Sequence, residues 1–196
     1  MSNQASDDEK IAPEWMNERF FEDILRETEK VTQVISKPGS NLGDHYASVM
    51  FRGLVTYKNS KSANLETSLI IKTMPFLDGP KRDLLQQSPI FNIEVSIYSD
   101  ILPNFEKHLK DANDDCKLGC KCLFYSLHPH KTIVFEDLTK RQFYAPEPEQ
   151  MTYDTAMKAL EKLAKWHAIS FKINKENGEI SKQFGNGPFS NYFLES

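Results

Sequence analysis

No stretch of this chain approaches the ~20 consecutive apolar residues that a membrane-spanning helix needs. Its first ten residues are polar and acidic and lack the apolar core of a secretory signal. It has three cysteines, Cys116, Cys120 and Cys122, an odd number that makes no disulfide framework. A reducing compartment, most simply the cytoplasm, is the expectation. Concentrated positive charge is also missing. Lys and Arg number 24 against 28 Asp and Glu, and the net charge of −4 argues against a general nucleic-acid-binding surface. Neither an internal repeat nor a low-complexity tract is present. Hydrophobic residues at 39% beside 27% charged residues give the balance of a folded rather than a disordered chain.

The order of the segments that are present is α+β. Residues 1–12 read as a disordered lead-in. Pro13 then sits where a helix can begin, and Met16, Phe20, Phe21, Ile24 and Leu25 recur at helical spacing across 15–30. The period changes at 31–37, which is β-branched and extended. Pro38-Gly39-Ser40-Asn41 is turn chemistry, and strands follow at 46–57 and 66–74. An irregular connection is expected over 75–89. Phe91, Val95, Tyr98 and Leu102 then mark a helix that ends at Pro103, and 105–117 is charged and expected to be exposed. Two further strands are placed at 121–127 and 131–135. Residues 145–150 have linker composition, and Thr152 caps a long helix whose stripe is Ala156, Leu160, Leu163, Ala164, His167 and Phe171. The expected fold is α+β: a five-stranded antiparallel sheet with an inserted helix, then a hinge and the start of a helical layer. The expected domain limits are 13–138 and 139–196.

Four features along this framework carry chemistry. The turn Gly39-Ser40-Asn41-Leu42-Gly43-Asp44 joins two strands, and its glycines allow backbone amides to approach a phosphate closely. An ordinary hairpin turn has the same composition, and the spacing is neither of the usual phosphate-loop patterns. Lys72 sits in the apolar run Leu69-Ile70-Ile71-Lys72-Thr73-Met74, where an ammonium needs water or a partner. Glu94 lies on the same helical face as Phe91 and Tyr98, and a carboxylate there needs a cation. Thr132-Ile133-Val134-Phe135-Glu136-Asp137-Leu138 is an apolar strand that runs into an acidic pair. A lysine on the third strand followed by a glutamate on the next helix is the ion pair that positions ATP phosphates in kinase folds. A zinc reading of Cys116, Cys120, Cys122, His128 and His130 fails on spacing.

The segments Gly43–Arg52, Leu69–Pro75, Phe91–Glu94, Tyr98–Pro103, Val134–Leu138 and Leu163-Ala164-Lys165-Trp166-His167-Ala168 together resemble the ecdysteroid-kinase-like family. That family, also called choline-kinase-like, is grouped with the aminoglycoside phosphotransferases in the protein-kinase-like superfamily. The resemblance implies a kinase N-lobe that binds ATP with Mg2+ and serves phosphoryl transfer to a small hydroxylated acceptor such as a steroid. On this resemblance Gly39, Ser40, Gly43, Asp44 and Ser48 belong to the loop over the phosphates. Lys72 holds those phosphates and Glu94 orients Lys72, while Phe135, Glu136 and Leu138 form the adenine pocket and hinge. The sequence departs from the family in one respect. Neither a His-Gly-Asp catalytic loop nor a later metal-ligating Asp-Phe segment occurs in it, so no catalytic residue and no metal ligand is assigned. The expectation is the ATP-binding part of such a kinase, inactive by itself. The alternative is a non-catalytic nucleotide-binding or interaction module, or a truncated gene product.

Overall fold

Three successive extended segments make a meander because each alternates buried and less buried residues along its length. The computed structural model describes residues 7–25, 28–39, 48–61, 63–144 and 146–178. In it β1 (Thr28–Pro38), β2 (Val49–Asn59) and β3 (Asn64–Thr73) pair antiparallel in turn. Later in the chain β4 (Cys122–Ser126) and β5 (Thr132–Glu136) form a hairpin, and β5 docks antiparallel beside β3. The sheet order is therefore β1-β2-β3-β5-β4. With its helices this is the α+β, kinase-N-lobe-like architecture expected.

Register decides which side chains share a face. Phe51, Ile71 and Val134 stand opposite one another across β2, β3 and β5. With Val49, Val55 and Leu69 they pack against Met16, Phe21 and Ile24. The last two belong to α1 (Glu18–Ile24), whose N-terminus is capped by the Asn17 side chain accepting from the Phe20 amide. The helix expected over 15–30 is shorter than its apolar spacing suggests. Thr28, Val31, Thr32 and Val34 favour extension, and the Val31 amide donates to Glu22 Oε1 at 3.0 Å, so β1 begins within the expected helix. A 3-10 turn at Asp7–Glu9 buries Asp8 and Glu9, so this part of the lead-in is ordered. Residues 1–6 lie outside the described residues.

Between β3 and the later strands, α2 (Pro80–Gln87) replaces part of the expected irregular connection. Pro80 falls in its first turn, where a missing N–H costs nothing. The chain divides into two compact units, one running up to Ser88 and including Lys121–Arg141, the other holding Pro89–Cys120 and the residues from Gln142 onward.

The second unit is helical. It contains α3 (Ile90–Ser96), a single π-helical turn at Ile97–Ile101, α4 (Leu102–Asp111) and α5 (Tyr153–Asn177). The helical path does not end at Pro103, because proline is tolerated in the first turn of α4. The segment expected to be exposed instead buries Phe105 and Leu109 against Ile169 and Ile173 of α5, and Trp166 meets Phe105 edge-on at 5.0 Å. The stripe read on α5 is largely exposed, and it is the expected burial of His167 that the structure corrects. His167 is exposed, as are Leu160 at 55%, Leu163 at 51% and Phe171 at 71%, while Ile169 and Ile173 face α4. The loop after α4 is tied down by Lys117–Glu106 at 2.7 Å and Lys165–Asp114 at 2.5 Å.

Gly53 of β2 faces α1 at the point of closest approach. A Cβ there would lie 3.0 Å from Phe21 Cζ and 3.1 Å from Ile71 Cδ1, two fully buried side chains. Gly53→Val is expected to destabilise the protein by about 1–3 kcal/mol through overpacking. Phe21→Leu in the same chain should recover part of that loss, and urea unfolding of the single and double variants measures both effects.

Candidate functional site

The face of the sheet opposite α1 carries two of the residues that sequence reasoning singles out, Lys72 and Phe135. Register aligns Met50, Lys72 and Ile133 across β2, β3 and β5, and in the next row Arg52, Ile70 and Phe135. Because side chains alternate along a strand, these six point away from the Phe51–Ile71–Val134 core. Lys72 is half-buried, while Ile133 and Phe135 are buried, at 0% and 6% exposure. The result is a largely apolar platform that carries Lys72 and, paired with Asp137, Arg52.

At one end of β5 the chain is held by a carboxylate that the sequence does not mark as special. Asp137 is buried, and its Oδ2 accepts from Arg52 Nε at 2.9 Å and from the Ser68 hydroxyl at 2.5 Å. Its Oδ1 accepts from the Thr139 amide at 3.1 Å and the Thr139 hydroxyl at 2.7 Å. Burial pushes the Asp137 carboxyl upward. Hydrogen bonds from Ser68 and Thr139, with the positive charge of Arg52, outweigh this and hold it below the usual carboxylate range. One side chain thus ties β2, β3 and the 3-10 turn Leu138–Arg141 together. Its signal in the sequence is parity: Asp137 is two residues past Phe135, and Arg52 is two past Met50.

Glu136 points the other way. Its amide donates to the Lys121 carbonyl at 3.0 Å, its Oε1 accepts from the Lys121 amide at 2.8 Å, and its Oε2 lies 3.4 Å from Arg141 Nη1. Leu138 is half-buried and opens the turn. Gly39 closes β1: its amide donates to the Met50 carbonyl at 2.8 Å, and a Cβ would lie 3.1 Å from the Phe51 carbonyl carbon. Its lack of a side chain therefore lets β1 run flush against β2. Ser48, just before β2, is buried. Ser40, Gly43 and Asp44 lie outside the described residues. Glu94 is half-buried on α3, in the helical unit, whereas Lys72 belongs to the sheet unit. Among the described residues no three His, Cys, Asp or Glu side chains gather as a metal site, and no helix is long and apolar enough to cross a membrane.

The folded pKa of Asp137 lies below its unfolded value of about 3.9. Its contribution to stability is therefore complete above that value and is lost as pH falls through the lowered pKa. Asp137→Ala leaves Arg52 without its carboxylate and is expected to cost about 3 kcal/mol. It should also flatten the acid limb of the stability curve. Urea unfolding between pH 2 and pH 6 tests both, and an unchanged acid limb in the variant would rule out this role for Asp137.

No curated protein matches the chain, and no solved structure does. The model of the Ecdysteroid kinase-like family matches residues 42–196, which takes in β2, β3, β4, β5 and every helix from α2 to α5. With a five-stranded antiparallel sheet that puts Lys72 and Phe135 on one face, the chain belongs to the ecdysteroid kinase-like family.

Proposed function

We propose that the chain binds ATP on the sheet face opposite α1, as the nucleotide-holding part of a phosphotransferase acting on a hydroxylated small molecule. The observation that carries this reading is the alignment of Lys72 with Ile133 and of Ile70 with Phe135. A flat apolar row suits a purine ring, and an ammonium one row further along suits phosphate oxygens. The backbone of Glu136 and Leu138 holds the adenine edge. Glu136 takes part through its carbonyl oxygen, since its amide is committed to Lys121. The loop from Gly39 to Ser48, with Ser40, Gly43 and Asp44, covers the phosphates, and Glu94 orients Lys72. Mg2+ accompanies the nucleotide and neutralises phosphate charge. No described residue of this chain is assigned to hold it, and no step is derived through it. Family membership supports a steroid-like alcohol as acceptor, and three free cysteines fit the cytoplasm as the place of action.

A second reading is a module that binds nucleotide without transferring phosphate. Incubation with MgATP and an ecdysteroid separates the two readings: phosphorylated steroid supports the enzyme, and binding without product supports the module.

Lys72→Met is expected to weaken MgATP binding about tenfold, or about 1.4 kcal/mol, measured by titration calorimetry. If Glu94 acts through Lys72, Glu94→Gln weakens binding in the native chain but adds little in the Lys72→Met background. Full additivity of the two losses would remove Glu94 from the site. Native affinity in Lys72→Met would overturn the assignment of this face.

A further inference from the structure

The sheet unit has a cavity at the Thr73 end of β3. β3 leaves the sheet at Thr73, opposite Thr132 where β5 enters, whereas the Glu136 end of β5 stands opposite Leu69. Thr73 follows the parity of Leu69 and Ile71, which face α1, whereas its neighbour Lys72 points to the opposite face of the sheet. The cavity encloses about 330 Å3 between the Thr73 end of β3, α2 and the residues leading into β5. That is within the range of small-ligand sites.

Its chemistry is uneven. Arg82 of α2 and Lys131 bring positive charge, and no Asp or Glu is among the described lining residues. Asp78 pairs with Arg82, but its side chain is 97% exposed, so this is a surface pair of little strength that leaves guanidinium donors for another anion. The same lining includes a flat wall: the Trp15 ring stacks on His130 with centroids 4.7 Å apart and planes within 10°. Pro13, Trp15 and Phe76 also line an adjoining apolar cavity of about 570 Å3. The floor is held in place, because the Lys131 carbonyl accepts from the Thr73 hydroxyl at 3.0 Å and the Met74 amide at 3.2 Å.

We propose that this cavity is a binding site for a small aromatic anion, distinct from the nucleotide face. Arg82 and Lys131 take the anionic group by charge-assisted hydrogen bonds. The planar body lies along Trp15 and Phe76, where a flat ring gains offset or edge contacts. A cavity of about 150 Å3 accepts benzene, so this one has room for a ring and its charged substituent. A neutral ring of the same size gains the wall but not the cations, and inorganic phosphate gains the cations but not the wall.

The chain has two tryptophans, so a Trp166→Phe background makes Trp15 its sole indole. Phenyl phosphate titrated into that protein is expected to produce a saturable change in Trp15 emission, with Kd on the order of 1 mM for a ligand of this size. Phenol and inorganic phosphate should each give no saturable change over the same range. Arg82→Gln and Lys131→Gln should each weaken the phenyl phosphate response about tenfold while keeping the native circular dichroism spectrum. Saturating ATP should leave that response intact. The proposal is overturned by the absence of a saturable response to phenyl phosphate, by an equal response to phenol, or by an unchanged response in both variants. Displacement by ATP would also overturn it, by locating the anion on the nucleotide face. The phenol comparison uses no charge variant and holds even if one of them fails to fold.

Discussion

The Asp137 carboxylate draws Arg52 from β2 and Ser68 from β3 to the end of β5, and a buried anion tolerates few alternatives to such partners. In a sheet the side-chain period is two, so a slip of one residue would carry a strand's whole set of side chains to the opposite face. Arg52, Ser68 and Asp137 stand on one face only in the observed register. Slipping β5 by one residue would leave the carboxylate facing the Phe51–Ile71 core. That same register sets Lys72 beside Ile133 and Phe135 beside Ile70. The polar clamp therefore selects the arrangement on which the apolar platform depends, although its net contribution to stability is modest beside that of the core.

Much of the sheet is legible from residue chemistry alone. Val31, Thr32, Val34 and Ile35 favour extension over helix, and Leu69-Ile70-Ile71 and Ile133-Val134-Phe135 are short β-branched or aromatic-rich apolar runs of the kind a buried strand uses. Lys72 is legible as a site residue because a cation within such a run calls for an explanation. Asp137 escapes notice because Glu136 precedes it and the pair looks like a solvated strand end. Only the register, which joins residues 85 positions apart in Arg52 and Asp137, distinguishes the two acids.

The helices are read less well, for a related reason. Periodicity identifies a face but not what the face meets. On α5, Leu160, Leu163 and Phe171 make as good a stripe as Trp166, Ile169 and Ile173, yet only the second set meets Phe105 and Leu109 of α4. Pro103 reads as a stop from local chemistry. In the structure it falls in the first turn of α4, just after the π turn, where the amide it lacks is not needed. The early end of α1 is likewise decided by a distant partner, Glu22 capturing the Val31 amide, rather than by the apolar spacing that precedes it.

The β3–β5 pairing has a consequence for the order in which the sheet assembles. The β1–β2–β3 meander closes short loops, whereas the Thr73–Thr132 contact spans 59 residues, and the entropy of closing that span is met before any of its hydrogen bonds form. The half of the platform supplied by β2 and β3 thus has a local route to its structure, and the half supplied by Ile133 and Phe135 waits on a long-range encounter. Kinetic φ-values higher at Val55 and Leu69 than at Val134 are the signature of that sequence of events, and the reverse order would contradict it. In a nascent chain leaving the ribosome, the strand bearing Lys72 emerges well before the strand bearing Phe135, so its β5-facing edge stays open to solvent in the interval.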